Sequence, residues 1–377
     1  MLEKLDTVNW SELTHAFGEA SDLPILIRAL ASEKAHMREE ALSVLFTNIW
    51  HHGVVFEASA YVVPFLAELA QNPDVADRNE LLVLLAHLAT GNSLLEVHEQ
   101  IDGPEALENP ELKAQLARER QWVLRTRQTA HKFVPAYVRL LEDPDPDVRA
   151  ASAYLLACFR GEARKIAPVI LRRLGKDSHP RARASLVLCL GALANGNPSY
   201  LQTFASIRKS KLPELVRLAA AMAEARNLRE NTPIETLEFL VDVITTLDPL
   251  LPAEYKRLPW ADGHIAGDAS LVLCYFGPTR AAQAIPDLFQ AINYVDAHSA
   301  LHIAYTLLFA AFGGRKGHLW QVKELTDMQR LVLTALLDND TVWEQNLDMS
   351  ELLRMFGLPD WPDTLAEFVG QGGREGK

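Results

Sequence analysis

Apolar side chains return every three or four positions along nearly the whole chain, as in Leu81, Leu82, Leu84, Leu85 and Leu88, or Leu215, Leu218, Ala219 and Met222. That spacing gathers them on one face of a helix, and alternating stretches are nearly absent, so the pattern predicts an all-α protein. Helix starts are marked by their chemistry. Ser21-Asp22-Leu23-Pro24 supplies capping oxygens and then a proline in the first turn, where a missing N–H costs nothing, and Asp145-Pro146-Asp147 does the same before Val148. Gly53, Gly91, Gly161, Gly196 and Gly277 follow apolar helical runs, where a left-handed cap is expected.

Two patterns recur along the chain. One is a hydrophobic residue and a proline opening a short amphipathic helix, at Leu23-Pro24, Val63-Pro64, Val134-Pro135, Ala167-Pro168 and Ile285-Pro286. The other is a polar turn and then an arginine opening a helix, at Met37-Arg38, Val148-Arg149, Ala182-Arg183 and Val216-Arg217. Arg149, Arg183 and Arg217 stand 34 positions apart, and Pro135 and Pro168 stand 33 apart. A repeating unit of two helices fits that period.

The stretch Leu140-Leu141-Glu142-Asp143-Pro144-Asp145-Pro146-Asp147-Val148-Arg149, followed by the alanine-rich run to Leu155, resembles the HEAT repeat family. Leucines end one helix, an aspartate–proline turn follows, and valine–arginine opens the next. Arg172 to Asp177, leading to Ala182-Arg183-Ala184-Ser185-Leu186, is a second and weaker copy. The resemblance implies a polar ladder between neighbouring repeats, carried here by Asp143 with Arg149 and Asp177 with Arg183, with Arg217 in the same series. The pattern departs at Ser32 before Arg38 and at Lys211 before Arg217. It is strongest over residues 22–71 and 131–226 and thins from Asn227 onward. The segment Asn48 to Tyr61, with Arg118 to Arg125, is also similar to a group of bacterial HEAT-repeat proteins. That likeness implies a bacterial cytoplasmic origin and no particular reaction.

The expected architecture is therefore a single α-solenoid over residues 1–377, an armadillo-type superhelix of roughly nine stacked antiparallel helix pairs. Residues 91–130 interrupt it. Gly103-Pro104 and Asn109-Pro110 break the chain, and the charged stretch Glu111 to Lys132 reads as an elongated helix. A second irregular stretch, 247–267, carries Pro249, Pro252 and Pro259, and the tail 370–377 has nothing to bury and is expected to be disordered.

Composition narrows the function classes. The 49 acidic and 37 basic residues leave a net charge of -12, which disfavours general attachment to polyanions and favours a partner of basic character. The three cysteines, Cys158, Cys189 and Cys274, lie far apart in apolar runs and read as core residues. No apolar run approaches the roughly 18 residues of a spanning helix, so no membrane association and a cytoplasmic location are expected.

Candidate chemistry gathers in a few places. Trp50-His51-His52-Gly53, with Glu57 and Tyr61, is the most concentrated polar-aromatic cluster, and reads as a helix-capping turn or a patch for a partner. Arg118, Arg120, Arg125, Arg127 and Arg139 with Trp122 could form a basic strip for nucleic acid, weakened by Glu111, Glu119 and Glu142 among them. Trp260, Asp262 and His264 sit in the second irregular stretch, with Asp268 beyond them. His298 and His302 lie four apart and share a helix face after Asp296, the spacing of two zinc ligands, but the glutamate of the metalloprotease motif is missing. No metal and no cofactor is assigned from these residues. Gly313-Gly314-Arg315-Lys316-Gly317 lacks the spacing of a phosphate loop and reads as a turn.

The expectation is an interaction protein whose concave surface binds another protein, with Trp50, His51, His52, Glu57, Tyr61, Arg118, Trp122, Arg125, Trp260, Asp262 and His264 as candidate contacts. The alternative is a helical-repeat enzyme on nucleic acid, resembling HEAT-like DNA glycosylases, with Trp122, Trp260 and Asp262 in the groove. A tetrapyrrole-directed activity like that of HEAT-like lyases finds no activated cysteine to support it.

Overall fold

The computed structural model describes residues 2–97, 109–246, 249–313 and 319–370. Most of the insertion, the start of the second irregular stretch, the glycine-rich turn after Gly313 and the tail after Gly370 lie outside the described residues. The described residues form twenty α-helices, several 3-10 turns and two minimal hairpins. The fold is all-α, of the helical-repeat solenoid class. The chain divides into two compact units, Met1–Cys189 and Leu190–Lys377.

The first unit opens with 3-10 turns and a hairpin of β1 (Thr14–His15) and β2 (Gly18–Glu19), then α1 (Leu23–Ala29) and α2 (Ala35–Ile49). A second hairpin, β3 (Trp50–His51) and β4 (Val54–Val55), leads to α3 (Ser59–Gln71) and α4 (Arg78–Thr90). The long α5 (Pro110–Lys132) follows, then α6 (Val134–Leu140), α7 (Pro146–Ala157), α8 (Ala163–Leu174) and α9 (Pro180–Leu193), whose last residues begin the second unit. Helices α1 with α2, α3 with α4, and α6 with α7 pack as pairs, and the second helices α2, α4 and α7 pack on one another in turn. Their shared core is filled by side chains such as Leu45, Leu66, Leu82, Leu84, Tyr137 and Leu155, all fully buried.

The caps follow the sequence chemistry at several ends. The side chains of Asn109, Asp145 and Asn197 each accept the N–H two residues on, with proline next in line. Two prolines behave otherwise: Pro64 and Pro168 lie inside α3 and α8 and do not open them. Gly91 and Gly161 are not left-handed caps, since neither has positive φ. At Gly91 the constraint is space, because a Cβ would sit 2.4 Å from Val55 Cγ1.

The polar ladder runs differently from the sequence expectation. Arg149 Nη1 donates to the carbonyls of Asp143 (2.8 Å) and Pro144 (3.0 Å), while its Nε and Nη2 grip the Asp177 carboxylate at 2.7 and 3.0 Å. The Asp143 carboxylate is held by Arg78, at 2.6 and 3.0 Å. Each of these steps thus joins an arginine to the aspartate carboxylate of the following repeat, and Arg149 takes only the backbone carbonyl of Asp143, six positions before it. Arg38, at the departing unit, makes the same set of contacts: Nη1 to the carbonyls of Ser32 and Glu33, and Nε to Asp77 at 2.7 Å. Only backbone oxygen is needed at position 32, so serine serves there. The Asp177–Arg183 pairing is not formed. Arg149 and Arg173 take the Asp177 carboxylate, and the buried Arg183 Nε has no acceptor. Position 211, where the repeat spacing would put an acidic partner for Arg183, is lysine. Arg217 instead lies 3.7 Å from Glu214 and over the ring of Phe239.

The second unit contains α10 (Pro198–Arg208), α11 (Glu214–Leu228), α12 (Ile234–Ile244), α13 (Leu250–Tyr255), α14 (Ile265–Leu273), α15 (Pro278–Ala281), α16 (Ile285–Ala291), α17 (Ala297–Phe312), α18 (Asp327–Leu337), α19 (Asn346–Met355) and α20 (Pro362–Val369). The pairs are α10 with α11, α12 with α14, and α16 with α17, and α14 packs closely on both α11 and α17. A buried knot ties the first pair to the next: Arg208 Nε and Thr236 Oγ1 both donate to Glu224 Oε2, at 2.7 and 2.8 Å.

Candidate functional site

In the first unit the Trp50–Gly53 cluster ends α2, with Trp50 N donating to Phe46 O at the cap, and turns directly into a β-hairpin with a two-residue loop. Trp50 pairs with Val55 and His51 with Val54, leaving His52 and Gly53 at φ 48° and 84°, both positive as a type I′ turn requires. The hairpin is pinned from below, since Asn92 N donates to Gly53 O and Val55 N to Asn92 O. Arg127 adds a bond to Gly91 O. Trp50 therefore projects onto α4, with its ring 4.5 Å from that of His87. Phe46 of α2 meets both rings, and Tyr154 of α7 lies beyond His87 at 6.4 Å. Four half-buried rings thus form a row across three successive second helices. His51 turns away from it, edge-on to Phe17, and His52 packs on His51.

Beside Phe46, between α2 and α4, opens a pocket of about 420 Å³ lined by Arg38, Glu39, Phe46, Asp77 and Glu80 among others. Burial raises the Glu80 carboxyl above the usual value, and the charge of Asp77 adds to the rise. Arg38 is committed to Asp77, so the pocket keeps an excess of carboxylate.

The other candidates of this unit lie elsewhere. Glu57 accepts from Thr14 Oγ1 at 3.3 Å. Arg125 donates to the Tyr61 hydroxyl at 3.2 Å, and the pair lines a cleft of about 1190 Å³ with Lys4, Phe65, Glu68 and Phe133. Of the arginines predicted to form a strip, Arg120 pairs with Glu96, Arg127 with Gly91 O and Arg139 with Gln71. Arg118 is exposed and Trp122 half-buried on α5. Glu119, buried beneath them, accepts from Leu95 N and Gln115. Arg120, Arg125 and Arg127 thus fasten α5 to its surroundings, and Arg139 ties α6 to α3.

In the second unit, residues 256–264 fold against the start of α17. His264 caps α14 by accepting from Ala266 N, and its own N–H donates to Ser299 Oγ at 2.7 Å. Asp296 caps α17 through Ser299 N and Oγ. The approach depends on glycine. A Cβ on Gly263, whose φ is +101°, would lie 2.6 Å from Ser299 Oγ, and one on Gly267 would lie 2.9 Å from Ser299 Cα. Burial holds the His264 imidazolium down against the opposing pull of Asp296 and Asp268.

This packing brings together residues separated in sequence. Asp262 Oδ1 is 3.1 Å from His298 Nε2, and Asp262 Oδ2 is 4.0 Å from His302 Nε2. The other nitrogen of His302 faces Asp268 at 3.4 Å, and Asp268 is itself held by the Tyr255 hydroxyl and Asp262 N, each at 2.8 Å. Trp260 sits half-buried at the head of the loop. Sequence reasoning saw two separate features here, and the glycines at 263 and 267 were the signal that the loop and the helix touch.

Comparison with known proteins agrees with the repeat architecture. Residues 134–225 match the family model for HEAT repeats. Among curated proteins none matches the sequence. Solved structures similar to it include an engineered protein from the Northeast Structural Genomics Consortium, at 16% identity and TM-score 0.34, covering 94% of this chain and 90% of that one. Kap121p is similar at 14% identity and TM-score 0.32, covering 88% of this chain and 36% of Kap121p. At those values neither adds to the argument made from the helices.

Proposed function

We propose that this HEAT-repeat chain is a protein-interaction scaffold that binds an extended, basic polypeptide segment on the second-helix face of its first unit, the concave face in a stacked-pair solenoid. The observation that carries the reading is the row of Phe46, Trp50, His87 and Tyr154 beside the acidic pocket of Glu39, Asp77 and Glu80. Stacked helix pairs present such side chains at regular intervals, which suits an extended partner better than a small substrate. Half-buried aromatic rings supply rigid apolar area at little entropic cost. The Glu80 carboxylate, disfavoured by burial and by the charge of Asp77, is relieved by a lysine or arginine side chain entering beside Phe46. The net charge of -12 favours approach of partners of the opposite, basic sign.

The test is fluorescence polarisation with labelled peptide libraries that differ only in Lys/Arg or Asp/Glu content. Basic peptides should bind with salt-sensitive affinity, and Trp50→Ala and Glu80→Gln should each weaken them by about tenfold or more, the scale of a 1.4 kcal/mol contact. Equal binding of acidic and basic peptides, or unchanged binding by both variants, would refute the reading.

A further inference from the structure

We propose that Asp262, His298 and His302 form a binding site for a divalent transition-metal ion of the zinc type, with Asp268 as the residue that positions His302. The inference is independent of the peptide-binding surface of the first unit, and it goes beyond the sequence reading, which saw the histidine pair without its carboxylate.

The donor set is the first argument. One carboxylate and two imidazoles place their ligand atoms within 4.8 Å of one another, and among the described residues they form the one such group of three. Metal–ligand bonds of about 2.0–2.2 Å in a tetrahedral site put donors roughly 3.3–3.5 Å apart. The observed separations from Asp262 to the two Nε2 atoms, 3.1 and 4.0 Å, bracket that value. A small rotation of the exposed Asp262 side chain equalises them.

The support behind the donors is the second argument, and it distinguishes a built site from a chance ion pair. A histidine that ligates through one nitrogen commonly turns the other toward a carboxylate, which fixes the ring and raises its basicity. His302 does this toward Asp268, whose side chain is 11% exposed. Its Nδ1 is buried and has no hydrogen-bond partner of good geometry, so Asp268 is the group that faces it. Asp268 in turn is held by Tyr255 and by the backbone of Asp262, the first ligand's own residue. The loop is seated on α17 by the Gly263 and Gly267 contacts with Ser299 and by the His264–Ser299 bond. Two histidines one helical turn apart offer both imidazoles on one face, and the loop supplies the third ligand from a fixed position.

With three protein donors the fourth position is left for water or an exchangeable ligand, the arrangement of an open site and not of a closed structural one. A bound ion would join the 256–264 loop to α17 by three bonds in place of one exposed hydrogen bond. Because imidazole must be neutral to ligate, protons compete with the metal, and affinity should fall on acidification.

The test uses the full chain, stripped with chelator and titrated with Zn²⁺ alone. Metal analysis after equilibrium dialysis should find one tightly held zinc per chain, and the melting temperature should rise with zinc concentration. Asp262→Asn and His298→Gln change exposed side chains, and both should abolish that zinc while melting like wild type in chelator. Asp268→Asn should weaken it by about 10–100-fold, the usual cost of losing such a supporting group. Co²⁺ added to the unaltered chain should give the intense visible absorption of a four- or five-coordinate site, a measurement that needs no variant. Absence of stoichiometric zinc, a Co²⁺ spectrum like that of the hexaaquo ion, or zinc retained by both ligand variants would overturn the proposal.

Discussion

The most quantitative consequence of the ladder is a gradient of coupling along it. Replacing Asp177 by Asn leaves the Arg149 guanidinium charged in a site where the two side chains are 9% and 0% exposed. Removing one partner of a buried ion pair typically costs about 3–5 kcal/mol, because the other charge is left desolvated. Arg149 keeps its bonds to the carbonyls of Asp143 and Pro144, and an Asn oxygen can still accept from His179 N, so the lower end, about 3 kcal/mol, is expected. Asp77→Asn removes the same contact from Arg38, but Asp77 is 48% exposed, and the loss there should be about 0–1 kcal/mol. Urea denaturation followed by far-ultraviolet circular dichroism measures both, and unchanged slopes identify a change in stability alone. At a slope of about 2–3 kcal/mol per molar, the Asp177 variant should lose about 1 M or more in midpoint. Adding Arg149→Met to Asp177→Asn should recover part of the loss, since no uncompensated charge then remains. The pH arm follows from the same contacts. Burial opposes ionisation of Asp177, but the bonds from Arg149, His179 N and Arg173 outweigh it and hold the carboxyl below its ordinary 3.8. Its contribution is therefore present above about pH 3.8 and lost as pH falls through the lower folded value. Equal costs for Asp177→Asn and Asp77→Asn, or a loss under 1 kcal/mol at Asp177, would refute the reasoning.

Three further outcomes are expected. His264 is held below its ordinary value of 6.5, so its contribution is complete above that pH and is lost as pH falls through the folded value. Melting temperatures at pH 7.5 and 5.5 should therefore differ more for wild type than for His264→Asn, and identical differences would contradict it. Gly263→Ala forces a side chain into φ +101° and against Ser299, and should cost about 1–3 kcal/mol in a thermal melt, with no change indicating that the loop is loosely held. Burial pushes the thiols of Cys158 and Cys274 up to about 11, and Cys189 higher still. A thiol reagent at pH 8 should accordingly label the three cysteines in urea and leave the native chain nearly untouched, whereas rapid native labelling would show an opened core.

Much of the fold was legible because its signals are local. A helix is written in the spacing of Leu81 to Leu88, and its start in Asp145-Pro146, since the cap and the proline act within a few residues. The two hairpins were missed for a related reason. Each strand is two residues long, too short to show alternation, and the turn signal at His52-Gly53 sits where a helix ending is equally plausible from composition. The repeat period located the ladder arginines but not their partners. An arginine six residues after an aspartate reaches that turn's carbonyls, while its charge is satisfied one repeat further on, which no single repeat contains.

What the sequence determined by itself was helix content, the two-helix period and the identity of the residues able to carry chemistry. What only the tertiary structure decided was which of them meet. Trp50 and Tyr154, 104 positions apart, join one row because second helices stack. Asp262 meets His298 and His302 because α14 lies along α17 and two glycines let the loop between α13 and α14 close on it. Local propensity acts over a turn of chain, whereas a site is assembled by packing between turns that the linear order keeps apart.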